Sequence, residues 1–393
     1  MIDLEREQLA TYSSLHPPNG NNFSGSEATG RQSPADGPVV GIPRGLLYFR
    51  YQPLWTTFFA HLGVTVQVSQ PTERSRFESA QSLTRSDLCL PVKVFLDHVA
   101  RLKDSVDYLL LPRVISVSPD AYMCPKILGL TDMVRNVFPN LPDLLTPRIN
   151  AKLPKPEGFA GACFEVGRHF DNSQIRVEKA WEAAQKAQIE FEQRLLSYPL
   201  DQALGPWDET FSKQDSTSGL QPRYRVAVIG RPYISFDKAL SHDLLSLLKR
   251  HGVQIVTPES LPREVKDKES QKLSKQVYWQ LGKELVAAAM HYMQCADVDG
   301  IINVSSFGCG QDSFTNALVD YYVTKHSHKP YLNLVLDEHT ADAGLDTRVE
   351  AFLDMVDQRT KDGPFGSRVV EEEAEPFSSK KFVKQPTSPE MHL

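Results

Sequence analysis

Tyr224-Arg225-Val226-Ala227-Val228-Ile229-Gly230-Arg231-Pro232 is a short buried strand that runs into a turn of Gly, Arg and Pro. A helical segment at 238–250 follows, then His251-Gly252, then a second strand, Val253-Gln254-Ile255-Val256. The first half of the chain opens in the same order. Pro38-Val39-Val40-Gly41-Ile42-Pro43-Arg44 leads to a helix at about 53–62, then Gly63, then a strand at 64–68. Glycine just past each first helix is the expected C-terminal stop.

Outward from these two openings the alternation continues. Helical spacing marks 92–102, and a buried strand at 107–117 centres on Tyr108-Leu109-Leu110-Leu111-Pro112-Arg113. In the second half a long helix at 270–293 leads to Gly300-Ile301-Ile302-Asn303-Val304, a helix at 312–325, a strand at 330–336 and a last helix at 347–355. Short apolar strands alternating with amphipathic helices predict α/β architecture with parallel sheets. The expected fold is two Rossmann-like lobes, 38–172 and 223–360. A connector at 173–222 joins them, made of a long helix (175–196) and a loop (201–222). Residues 1–37, rich in Ser, Gly, Asn and Pro, and 361–393, charged and Pro-containing, read as disordered tails.

Composition narrows the function. The 393 residues are 41% hydrophobic and 23% charged, which suits a soluble globular chain with a real core. A net charge of −6 argues against nucleic acid as a partner. No apolar run of about 18 residues predicts a membrane span. With no apolar leader near the start, the expected compartment is the reducing cytoplasm, where five cysteines indicate metal binding or free thiols rather than disulfides.

Three of those cysteines stand in marked settings: Leu88-Cys89-Leu90-Pro91, Met123-Cys124-Pro125-Lys126 and Phe307-Gly308-Cys309-Gly310-Gln311-Asp312. Each precedes a plausible helix start, where free backbone N–H groups stabilise a thiolate. Ligands in open parallel sheets bind beyond the carboxyl ends of the strands, which would gather all three in the interlobe cleft. The alternative is three ordinary buried cysteines. Structural zinc sites usually bring ligands in close pairs; here no pair is close, and scattered single thiolates fit an iron–sulfur cluster better. Three ligands leave one iron of a cubane open. Cys163, in an apolar stretch, and Cys295, ahead of a strand at the amino end of the sheet, are set aside as core or surface residues.

With their neighbours, these segments resemble a known family. Cys89-Leu90-Pro91-Val92-Lys93, Met123-Cys124-Pro125-Lys126 and Ser305-Ser306-Phe307-Gly308-Cys309-Gly310-Gln311-Asp312-Ser313 are similar to motifs of the acyl-CoA dehydratase activase-related proteins. That group is related to the D-component of 2-hydroxyacyl-CoA dehydratases and to double-cubane cluster proteins. Gly41-Ile42-Pro43-Arg44-Gly45-Leu46-Leu47-Tyr48, Leu111-Pro112-Arg113 and Asp337-Glu338-His339-Thr340 extend the likeness over about 38–360. Gln311 departs from it, since the family usually has proline there.

The resemblance implies a cluster held by Cys89, Cys124 and Cys309, either one 4Fe–4S centre or a bridged double cubane. It also implies electrons delivered by a separate ATP-hydrolysing activase, and a second copy or a related cluster subunit as a further partner. The chain itself has no Walker P-loop. The expected activity is low-potential electron transfer or reductive chemistry at the open iron. The alternatives are a component of a radical 2-hydroxyacyl-CoA dehydratase, a non-enzymatic cluster carrier or activase-docking subunit, and last a structural zinc site.

Other residues have two readings each. Arg44, Arg113 and Arg231 follow predicted strands, where they would hold an anionic substrate or offset cluster charge, or else pair with a carboxylate at the lobe interface. Lys93 and Lys126 lie within a turn of their cysteines and either offset that charge or face solvent. Ser305 and Ser306 would donate to cluster sulfurs or form a turn. Asp312 is expected to cap the helix after Cys309, and His339 to play a structural part at a strand end.

Overall fold

The computed structural model describes residues 37–84, 88–153, 158–212, 222–273 and 275–362. The tails expected at 1–37 and 361–393 lie, apart from residues 37, 361 and 362, outside the described residues.

Six strands precede the connector: β1 (Val39–Ile42), β2 (Thr65–Val68), β3 (Tyr108–Leu110), β4 (Arg113–Ser116), β5 (Asp143–Leu145) and β6 (Arg148–Asn150). Four follow it: β7 (Tyr224–Ile229), β8 (Val253–Val256), β9 (Gly300–Ser306) and β10 (Tyr331–Leu336). One four-stranded sheet has the order β2-β1-β3-β5 and another the order β10-β9-β7-β8. All their pairings are parallel. Counted along the chain, each sheet places its second strand beside its first, then its third and fourth, so the repeated opening in the sequence is a repeated topology. Every position of β9 is buried, the pattern of a strand covered on both faces.

Both first helices end as the sequence predicts. Gly63 and Gly252 each take a φ of 72°, a left-handed stop that a side chain would strain. The starts differ. The first helix, Tyr48–His61, begins a turn early and carries Pro53 inside it. In the second half the helix is Leu244–Arg250, because His242 and Asp243 have positive φ. The Asp237 carboxylate instead accepts from the N–H groups of Ala239 and Leu240 at 3.0 and 3.1 Å and holds the preceding residues in turns.

Three further expectations are corrected. The strand at 107–117 is two strands, β3 and β4. Pro112 has no N–H for a ladder, and beyond it β4 leaves the main sheet to pair with β6 alone. Of the helix expected at 270–293, only Gln280–Tyr292 is helical, and the separate helix Arg263–Ser270 ends where that expectation begins. Within the expected loop at 201–222 lies the helix Glu209–Ser212, and Leu200–Leu204 overlaps its start; residues 213–221 are outside the described set.

The connector helix, Gln174–Ser197, packs against Tyr48–His61. One apolar core cluster contains Val40 and Leu109 of the first sheet together with Val226 and Ile302 of the second. A smaller cluster on the far side of the second sheet joins Ile229 and Ile301 to Val286 and Val319. Polar ties also cross between the halves. Arg50 donates to both oxygens of Glu284, and Ser118 Oγ donates to Gln280 Oε1 at 2.5 Å. Among the described residues no helix is long and apolar enough to cross a membrane.

Candidate functional site

Each of the three singled-out cysteines is the residue immediately before a helix. Cys89 precedes Leu90–Leu102, Cys124 precedes Pro125–Leu128, and Cys309 precedes Gly310–His326. All three have extended backbone angles, the geometry that aims a side chain back over the first turn. The N–H of Val92 favours the Cys89 thiolate, those of Lys126 and Ile127 favour Cys124, and that of Asp312 favours Cys309.

Three separate devices bring these segments together. Cys309 follows the carboxyl end of β9, where the chain turns at Phe307-Gly308. Cys124 leaves β4, with Met123 N–H bonded to the Ile115 carbonyl at 2.9 Å, and is pinned to the second half through Tyr122. The Tyr122 N–H donates to Tyr278 O (3.1 Å) and its carbonyl accepts from the Gln280 N–H (2.8 Å). Cys89 is placed by its helix, whose Leu90 and Val94 pack with Ala239 and Leu240 of the second half.

The result is one neighbourhood of sulfurs. The neighbouring Cys309 side chain, with burial added, pushes the Cys89 pKa far up. The same neighbour relation draws the Cys309 pKa below its usual value against the effect of burial, with the Arg231 charge helping. Burial raises Cys124, which also feels Cys309 and Arg231. Among the described residues, no three His, Cys, Asp or Glu are grouped tightly enough to hold a single metal ion. The other two cysteines stay apart in role. Cys163 is fully buried in the helix Phe159–Gly167, and Cys295 donates to the His291 carbonyl at 3.4 Å.

Asp312 does not cap its helix. It lies inside the first turn, and its Oδ1 accepts from Arg231 Nε at 2.6 Å. Arg231 Nη2 donates to Gln311 Oε1 at 3.3 Å. Arg231, Gln311 and Asp312 are all buried, and Arg231 Nη1, Gln311 Nε2 and Asp312 Oδ2 have no partner among the described residues.

Most of the remaining candidates have partners of their own. Arg44 pairs with Asp208 at 2.5 Å and lies 4.0 Å from Asp237, so it is a buried interface arginine. Arg113 holds Asp132 at 2.8 Å near the surface. Lys93 lies 3.8 Å from Glu338, and Lys126 is exposed. Ser305 Oγ accepts from Asn316 Nδ2 at 2.7 Å, and Ser306 Oγ donates to the Phe307 carbonyl at 3.3 Å. The His339 N–H donates to Asp337 Oδ1 at 3.0 Å in a turn after β10.

One residue near the thiols was not anticipated. Tyr233 is buried, and burial lifts its phenol well above the ordinary range; it also feels Arg231, Asp312, Cys309 and Cys89. Its signal was the Gly230-Arg231-Pro232-Tyr233 turn after β7, of which only the arginine was singled out.

Among curated proteins none matches the chain. A family description, the CoA enzyme activase uncharacterised domain (DUF2229), matches residues 39–261, more than half of the sequence. The matched part contains Cys89, Cys124 and Arg231 and stops before β9 and Cys309. The chain belongs to this CoA enzyme activase-related family.

Proposed function

We propose that Cys89, Cys124 and Cys309 hold an iron–sulfur cluster at the junction of the two sheets, as a 4Fe–4S cubane or one half of a bridged double cubane. In this reading the chain serves low-potential electron transfer or reductive chemistry in the cytoplasm, with a separate ATP-hydrolysing activase as its electron donor. One observation carries the reading: three cysteines from three distant segments each head a helix, and their sulfurs share one neighbourhood.

The donor set supports a cluster over a single ion. Tetrahedral zinc needs four ligands drawn in to about 2.3 Å, and no such closed group exists among the described residues. A cluster places each thiolate on a different iron, so its ligands stand farther apart than those of one ion. The two unpartnered buried donors, Arg231 Nη1 and Gln311 Nε2, also suit an anionic occupant beside the thiols. When bound, such a centre supplies an electron at a potential set by charge, hydrogen bonds and exposure. The chain's own residues would bind it through three half-buried thiolates and favour those thiolates with backbone N–H groups. The activase-related family supports the proposed partner.

The test is anaerobic purification with iron and acid-labile sulfide assays. Coloured protein with matching iron and sulfide is expected; colourless protein carrying only zinc overturns the proposal.

A further inference from the structure

Arg231 follows Gly230 at the end of β7, the strand between β8 and β9, and only 1% of its surface is exposed. Its partners, Gln311 and Asp312, lie in the first turn of the helix headed by Cys309. The guanidinium is therefore fastened to the cysteine's own helix. Nε and Nη2 are engaged while Nη1 is left over. Gln311 repeats the pattern: its oxygen accepts from Arg231 and its Nε2 is buried without a partner. Asp312 Oδ2 is also unpartnered, so one acceptor stands among these donors.

A buried donor left unsatisfied is costly and rare, and such a group calls for a partner beyond the protein's own side chains. Two of them, on side chains tied to one another beside three thiols, make a seat for negative charge. Arginine suits it because its charge is permanent and its donors are fixed in a plane.

We propose that Arg231 and Gln311 form the charge-compensating seat of the cysteine centre, and that the balance between Arg231 and Asp312 sets its reduction potential. The inference rests on the cluster reading above. Arg231 acts here as a positioning residue and not as an iron ligand. A positive neighbour favours the reduced, more negative cluster, so removing it must lower the potential. Removing the neighbouring carboxylate must raise it.

The experiment is anaerobic potentiometric titration of the cluster-loaded full chain, with iron and sulfide measured on every sample. Arg231→Met is expected to make reduction about tenfold less favourable at a fixed potential, a shift of ~59 mV for a one-electron couple. Asp312→Asn is expected to shift it the opposite way. Arg231→Lys keeps the charge and should lie closer to the parent protein than Arg231→Met. Where Arg231→Met does not load, Asp312→Asn and Gln311→Leu decide, the latter with a downward shift. Fully loaded variants with unmoved potentials overturn this inference alone. An iron-free parent protein overturns the cluster reading and this inference with it.

Discussion

Arg50 and Glu284, 234 residues apart in the chain, grip each other through two hydrogen bonds, Nη1 to Oε2 at 2.9 Å and Nη2 to Oε1 at 3.0 Å. The pair joins the first helix of one half to the Gln280–Tyr292 helix of the other, and Gln280 Nε2 adds a third bond to Glu284 at 2.6 Å. Removing one partner of a buried pair leaves the other charge stranded. Glu284→Gln should therefore cost about 3–5 kcal/mol in urea unfolding. Replacing both residues by methionine should recover much of that loss, because the half-buried cation goes as well. A double variant as unstable as Glu284→Gln would show that the two groups act separately.

The same pair predicts a pH dependence. Burial pushes the Glu284 carboxyl up, but Arg50 and its other partners overcome this and hold it at about 2, against an ordinary 4.5. Its folded value lies below its unfolded one, so its contribution is complete above about pH 4.5 and is lost as the pH falls through about 2. The size is on the order of 3 kcal/mol. Glu259 runs the other way, since burial raises its carboxyl. The informative quantity is thus the stability difference between the parent chain and Glu284→Gln. It should shrink steadily from pH 5 to pH 3 in chemical denaturation; a constant difference refutes the assignment.

Cys89→Ser, Cys124→Ser and Cys309→Ser should each abolish most bound iron and sulfide after anaerobic preparation. Cys295→Ser should leave both unchanged. Cys163→Ser should also keep them, at a cost of about 1–3 kcal/mol for a hydroxyl in an apolar core. Full loading in any of the first three variants would remove that residue from the ligand set.

Two glycines beside the site should respond in opposite ways. A Cβ on Gly230 would meet Ser235 Oγ at 2.4 Å and the Val304 carbonyl at 3.2 Å, so Gly230→Ala must push the Arg231 turn aside. A loss of about 1–3 kcal/mol in thermal or urea unfolding is expected. Nothing lies within 4 Å of a Cβ on Gly310, at the first turn of its helix. Gly310→Ala should be neutral, or more stable by about 0.4–1 kcal/mol. Equal effects from the two changes would contradict the packing described for β7.

What could be read from the sequence follows physical lines. The strands β1, β7, β9 and β10 and the helix stops at Gly63 and Gly252 rest on local signals, apolar runs and a residue free to take positive φ. The cysteines were legible as helix heads because proline or glycine stands within two residues of each one. Elements decided by tertiary partners were not. β4 looks like a continuation of β3 until its pairing with β6 is seen, and β5 and β6 are only three residues each. Asp312 carries an ordinary capping signal, but a buried guanidinium from another strand claims its carboxylate. Tyr233 shares the Gly230-Arg231-Pro232 turn signal, but its burial beside the thiols is set by tertiary packing after β7.

The bond between Tyr122 and the Tyr278–Gln280 segment has a temporal meaning. A chain emerging from the ribosome delivers Cys89 and Cys124 early, yet the backbone that fixes Cys124 is made much later, and Cys309 later still. Until β9 has joined its sheet, two thiols hang without the third. Any metal loading that requires all three is therefore an event of the finished protein, and a chain truncated before β9 would lack the third thiol.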